Sequence, residues 1–160
     1  MDTVYIETTV IGNIAGRIHP DPVVSARQQI TRTWWASAPQ RYRLFTSQVT
    51  LDECGDGDPD AAAERLEITK RVELLDTTTE AKALARALMD HRAVPASQPR
   101  DALHISIAAV HRVEFIVTWN FKHMLNPHLQ AKIADACRDE GHRPPVICTP
   151  QQFLESDDDS

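Results

Sequence analysis

The sequence predicts an α/β fold: a three-layer α/β/α sandwich around a central, mostly parallel sheet of about five strands. Three observations carry this expectation. Short β-branched and aromatic runs alternate with segments of helical period along the whole chain. There is no internal repeat, and 160 residues fit most simply into one domain, here residues 1–154. The stretch Arg100-Asp101-Ala102-Leu103-His104-Ile105-Ser106-Ile107-Ala108-Ala109-Val110 is apolar on nearly every side, as befits a helix in a protein interior.

Taken in order, Thr3–Ile6 reads as a buried first strand. Val10 to Gly16 reads as a short helix stopped at the glycine, and Pro20-Asp21-Pro22 as a turn. From Val23 to Ser37 the apolar positions Val23, Ala26, Ile30 and Trp34 share one helical face, and Pro39 is expected to end the segment. Trp34 and Trp35 read as packing, one indole inside and its neighbour on the rim, in preference to base stacking. Tyr42 to Thr46 alternates as a second strand, with Ser47 as N-cap of a helix from Val49 to Cys54. Asp58 caps a helix from Pro59 to Lys70, and Val72–Leu75 is a third strand. Thr77-x-x-Glu80 fits a capping box opening a helix to about Arg92. Ser97 is expected to cap the central helix, which runs to about Arg112; Val113–Thr118 is the fourth strand. Pro127 to Glu140 is a helix terminated by Gly141, Pro145–Cys148 a fifth strand, and Thr149-Pro150 the start of a last helical turn through Leu154.

Composition limits the function classes. The formal net charge of -6 argues against gripping nucleic acid by charge alone. Residues 155–160, with four acids, read as a solvated, disordered tail. No apolar run approaches a membrane span and no signal peptide is evident, so a cytoplasmic protein without membrane attachment is expected. Cys54, Cys137 and Cys148 are odd in number and form no Cys-x-x-Cys, which favours reduced thiols over disulfides or a zinc site. A Gly-x-Ser-x-Gly elbow, a phosphate-binding Gly-rich loop and a His-Glu-x-x-His motif are all absent.

What remains is a set of acids. Glu7 follows the first strand, Glu53 lies in the helix after the second, and Asp101 opens the central helix. In a parallel sheet these places share one edge, where open α/β sheets bind their ligands. Glu53 is preferred over Asp52 because it lies four residues from Val49, which should face inward. Three carboxylates brought together would repel strongly unless a cation held them, and hard oxygen ligands select Mg²⁺ or Mn²⁺. Two of the acids also have a plainer reading: Glu7 can cap the following turn, and Asp101 can cap its own helix. His104 reads as a hydrogen-bonded core histidine rather than a ligand. Trp119, Lys122 and His123 either pack or contact RNA.

These residues resemble a known family. Tyr5-Ile6-Glu7-Thr8-Thr9-Val10-Ile11, Glu53, Asp101-Ala102-Leu103-His104-Ile105, Val117-Thr118-Trp119-Asn120-Phe121-Lys122-His123 and Pro145-Val146-Ile147-Cys148-Thr149-Pro150 together are similar to the PIN domain, the nuclease domain of VapC-type toxins. The resemblance covers about residues 3 to 154. It implies a metal-dependent endoribonuclease, the toxin of a type II toxin–antitoxin pair, with Glu7, Glu53 and Asp101 as Mg²⁺ or Mn²⁺ ligands and catalytic residues. Asn120 falls at the fourth acidic position, often Asp, where it would place a water or the metal. Thr8 or Thr9 falls where a hydroxyl supports the site. Glu7 stands where most members have Asp, and uncharged Asn120 would hold a second metal weakly; both favour one metal. The resemblance further implies RNA as substrate, an antitoxin partner and a homodimer, for which the exposed apolar residues of the second and fourth helices are candidate surfaces. Two rivals are a catalytically weakened PIN-fold module that binds RNA or protein, and a phosphotransferase of the haloacid dehalogenase kind. The latter needs an Asp nucleophile and a second Asp two residues on, where this chain has Glu7 and Thr9.

Overall fold

A computed structural model describes residues 1–158. Five parallel strands form one sheet in the order β3-β2-β1-β4-β5: β1 Thr3–Ile6, β2 Arg43–Ser47, β3 Glu73–Leu75, β4 Phe115–Val117 and β5 Val146–Cys148. Among the described residues the eight helices are α1 Thr8–Ile14, α2 Pro22–Arg41, α3 Gln48–Cys54, α4 Pro59–Thr69, α5 Thr79–Asp90, α6 Pro99–Val110, α7 Pro127–Asp139 and α8 Pro150–Asp158. The three-layer, parallel α/β/α expectation holds, with every strand parallel.

Strand alternation sorts the core into two halves. Val4 and Ile6 of β1 join Leu44 and Val117 in one cluster with Trp34, Tyr42 and Phe153 from the α2 and α8 side. Tyr5, between them, faces the other way, with Phe45 and Ile116, into the cluster built by α5, α6 and α7. Helix α6 is the centre of that second layer. Its Ile105 and Ile107 are fully buried, each stabilising by roughly 1.5–3 kcal/mol relative to exposure.

Several boundaries differ from expectation, each for a local reason. Helix α1 starts at Thr8, two residues early, because the Glu7 side chain caps it by accepting from Thr9 N. Helix α2 passes through Pro39 and ends at Arg41; Tyr42 N–H still reaches Ala38 O, so the proline sits in the last turn without stopping it. The cap of α5 is Thr78, which accepts from Ala81 N at 3.1 Å, rather than Thr77. The cap position of α6 is Gln98 rather than Ser97, and its side chain makes no capping bond. Ser47 does occupy the cap position of α3 but turns its hydroxyl to Tyr5 instead. Gly141 closes α7 as expected: at φ +83° it lets His142 N–H reach back to Cys137 O at 2.8 Å. Helix α8 runs to Asp158, so residues 155–158 continue a helix rather than a disordered tail; residues 159–160 lie outside the described residues.

The topology also fixes where a ligand can sit. From β1 the chain moves outward to β2 and β3, then crosses back to place β4 on the opposite side of β1. The strand order therefore reverses between β1 and β4, and open α/β sheets bind ligands in the crevice beyond the carboxyl ends of the strands at such a point. Glu7 follows β1 and Asn120 follows β4, one on each flank of that crevice.

Candidate active site

The site is built on buried hydroxyls. Glu7 is only 3% exposed, and three donors converge on its Oε1: Thr9 N at 3.0 Å, Thr118 Oγ1 at 2.7 Å and Thr9 Oγ1. Such convergence compensates the burial of a carboxylate. Glu7 is therefore the cap of α1, as its plainer reading expected, and it is also fixed at the switch-point crevice. Thr118 and Thr9 extend the same hub across the crevice. Thr118 Oγ1 accepts from Asn120 N at 3.0 Å, and Thr9 Oγ1 accepts from Trp119 N at 2.8 Å. The turn after β4 is thereby tied to the turn after β1.

Glu53, late in α3, is partly exposed, and its Oε1 accepts from Thr8 Oγ1 at 2.8 Å and from His104 Nε2 at 2.6 Å. Asp52 is exposed and accepts from Gln48 Nε2 at 2.9 Å on the outer side of the helix. His104 is fully buried, and its other nitrogen, Nδ1, lies 2.7 Å from the Tyr5 hydroxyl. That hydroxyl is 2.7 Å from Ser47 Oγ. A continuous polar chain thus runs from the crevice into the core: Glu53, His104, Tyr5, Ser47. Burial, the largest single influence on His104, opposes its charge, but Tyr5, Glu53 and Glu7 outweigh it and push its pKa up to about 10. Burial also acts to raise the Glu53 carboxyl, yet the His104 bond and charge, Thr8 and Arg100 prevail and hold it below its ordinary value. Both shifts favour an imidazolium–carboxylate pair.

Asp101 sits in the first turn of α6, 8% exposed, with the Asn120 side chain as hydrogen-bond partner. Burial lifts its pKa above the usual range, and Glu53's charge adds to that; Asn120, His104 and His123 act against it. The influence of Glu53 on Asp101 marks them as neighbours. Asn120 Oδ1 accepts from His123 N at 3.1 Å, so the amide is held at both ends. Trp119 is buried, with Nε1 bonded to Thr31 Oγ1 at 2.8 Å, so its indole packs.

The donor chemistry fits a hard divalent cation. Glu7, Glu53 and Asp101 offer carboxylate oxygens only, and the buried partners of Glu7 and Glu53 each hold one oxygen, leaving the other outside those bonds. Their spacing is wider than a cation needs. Among the described residues no three His, Cys, Asp or Glu side chains stand close enough together to hold a metal ion.

Tyr5, Ser47 and Thr118 were not singled out from the sequence. Tyr5 carried a signal: a phenol in a strand otherwise made for burial needs a partner for its hydroxyl. A cleft lined by Glu80, Arg112, Glu114, His142 and Arg143 lies at the opposite edge, where β4 and β5 begin, and is no part of this site.

The fold and this edge define a parallel α/β domain with anchored acids at its switch point. The sequence matches the PIN domain over residues 4–122, and the chain belongs to that family. No curated protein sequence matches it. Among solved structures it is similar to Mycobacterium tuberculosis VapC20, described as a sarcin-ricin loop cleaving toxin, with TM-score 0.59 and 16% identity over 78% of this chain and 95% of that one. It is also similar to VapBC2 from Rickettsia felis, bound to a DNA fragment from their promoter, with TM-score 0.56 and 15% identity over 92% of this chain and 98% of that one. The fold of this chain is thus the fold of VapC toxins. No helix among the described residues is long and apolar enough to cross a membrane.

Proposed function

We propose that this PIN domain is a metal-dependent endoribonuclease that hydrolyses RNA phosphodiester bonds and serves as the toxin of a type II toxin–antitoxin pair. The observation that carries this reading is the set Glu7, Glu53, Asp101 and Asn120 at the β1/β4 switch point, anchored from beneath by Thr8, Thr9, Thr118 and His104. Glu7, Glu53 and Asp101 would hold Mg²⁺ or Mn²⁺, which supplies a hydroxide nucleophile near neutral pH and stabilises charge on the phosphoryl oxygens. Thr9 and Thr118 hold Glu7 in place by hydrogen bonds, and His104 favours the ionised form of Glu53 beside it. Asn120 bonds Asp101 without adding charge, which suits one cation better than two. VapC20, a sarcin-ricin loop cleaving toxin by its description, and VapBC2, bound to a DNA fragment from its promoter, support the toxin role and an antitoxin partner, and a cytoplasmic setting belongs to the same reading. A homodimer is part of the same reading, with α2, whose Val23 is 60% exposed, as one candidate surface.

The test is cleavage of end-labelled RNA with Mg²⁺, Mn²⁺ or EDTA, using Asp101→Asn as control. Cleavage is expected with either metal, none with EDTA, and only background in the variant. Undiminished cleavage by the variant refutes the assignment. The ion pair between Glu53 and His104 favours one competing reading, a catalytically weakened module that binds RNA or protein. It requires RNA binding without metal-stimulated cleavage in the same assay.

A further inference from the structure

Phe121 is 47% exposed and follows directly on Asn120, whose amide reaches Asp101. It is held firmly there. Phe121 N–H donates to Trp119 O at 2.9 Å, Asn120 O accepts from both Met124 N and Leu125 N, and Met124 is fully buried beneath the turn. The Trp119 ring lies 6.1 Å from the Phe121 ring at 49°, buried and fixed through Thr31. Arg27 of α2 packs against both rings. Its guanidinium carbon lies 4.9 Å from the Phe121 ring centre and 5.8 Å from that of Trp119. Lys122 is exposed and His123 half-buried in the same turn. An exposed aromatic ring is common on its own. Here the ring is rigidly presented and paired with a planar cation, beside further basic groups and one residue from the acidic crevice. Aromatic and guanidinium planes that stack bases, with positive charge for the backbone, are the means by which proteins hold single-stranded nucleic acid. In a chain of net charge -6 a local platform of this kind supplies attraction that the whole molecule does not.

We infer that Phe121 and Arg27 form a stacking platform for one unpaired base of single-stranded RNA, adjacent to the phosphate that the acidic crevice would receive. The inference rests on the ribonuclease reading for its substrate class, and binding measured without metal separates the two. Lys122 adds charge for the flanking phosphate, and Trp119 backs the Phe121 ring without itself being open to a base.

The test uses the full chain in EDTA and a fluorescein-labelled 12-nucleotide single-stranded oligouridylate. Phe121→Leu keeps an apolar side chain of similar size and removes the π face; it should raise Kd roughly tenfold, the scale of one base–aromatic stack. Phe121→Trp should restore the wild-type Kd, and Arg27→Gln should also weaken binding. Against an abasic oligomer of the same length, wild type and Phe121→Leu should bind alike. The platform is overturned if wild type fails to bind the oligouridylate, if Phe121→Leu binds as tightly as wild type, or if its loss is as large on the abasic oligomer. The nuclease reading fails on a different result: base-dependent binding by wild type with no cleavage once Mg²⁺ or Mn²⁺ is added. Cleavage with an unchanged Kd in Phe121→Leu removes the platform and leaves the nuclease.

Discussion

Replacing His104 by Gln tests the buried polar chain at its centre. His104 has its pKa pushed to about 10, against an ordinary value of 6.5. The folded state therefore binds this proton more tightly than the unfolded one. The resulting stability is complete below about pH 6.5 and is lost as pH rises toward 10. Between pH 6.5 and 8.5 the wild type should lose roughly 2–3 kcal/mol on this account, equivalent to roughly 5–10 °C in Tm for a chain of this size. The window is free of the buried thiols. Burial raises Cys54 and Cys137 from 9.0 to about 11 and Cys148 to about 12, so their contribution falls away only above pH 9. Glu53 is lowered from 4.5, so its contribution is already complete at pH 6.5 and is lost only toward acid. Gln at 104 is neutral throughout and can still donate to Glu53. Urea unfolding in EDTA, followed by tryptophan fluorescence at pH 6.5, 7.5 and 8.5, should show wild type and His104→Gln converging as pH rises. Curves that stay parallel across that range would show that His104 is neutral in the fold and that the ion pair is not what holds Glu53.

Two further outcomes follow from the same hub. Thr118→Val removes a donor to Glu7 and the acceptor for Asn120 N, both buried or partly buried; unfolding free energy should fall by roughly 1–3 kcal/mol, read by denaturant melts in EDTA. Asp101→Asn removes a buried charge whose pKa lies above its ordinary 3.8, so at neutral pH the ionised form opposes folding. The metal-free Tm of that variant should rise by roughly 2–4 °C, about 1 kcal/mol here, and a clear fall would instead make Asp101 a helix-capping residue.

How much of this could be read from the sequence depends on where the information lies. Strand and helix identity is local: Val4, Ile6 and Leu44 against the periodic faces of α5 and α7 suffice to place every element. Boundaries are less local. Thr8 enters α1 because a carboxylate one residue earlier can cap it, and Pro39 stays inside α2 because its missing N–H falls in a final turn that Tyr42 still closes. Caps misplaced by one residue, Thr78 for Thr77 and Gln98 for Ser97, reflect the same competition among neighbouring polar side chains. The acids could be named from the common edge of a parallel sheet. Their partners could not, because Thr118 lies 111 positions from Glu7 and Tyr5 lies 99 from His104. Such pairs exist only once β4 lies beside β1 and α6 lies across it.

The spacing of Asp101 and His104 then acquires a meaning that neither residue has alone. Residues three apart lie on neighbouring faces of a helix, and in α6 the first-turn acid keeps slight exposure while the residue three on is fully buried. Exposure falls from 8% at Asp101 to nothing at His104. A largely apolar helix, with Asp101 and His104 one turn apart, thus delivers an acid to the surface of the site and a histidine beneath it. Both are linked to Glu53, whose charge acts on the acid by repulsion and which bonds the histidine at 2.6 Å. Helix α6 is packed more completely than its neighbours because it must fix both groups at once. A rotation of the helix by one position would move Asp101 away from Asn120 and His104 away from Tyr5 together. The apolar surround, fully buried Ala102, Ile105, Ile107 and Ala108, is what makes such a rotation costly.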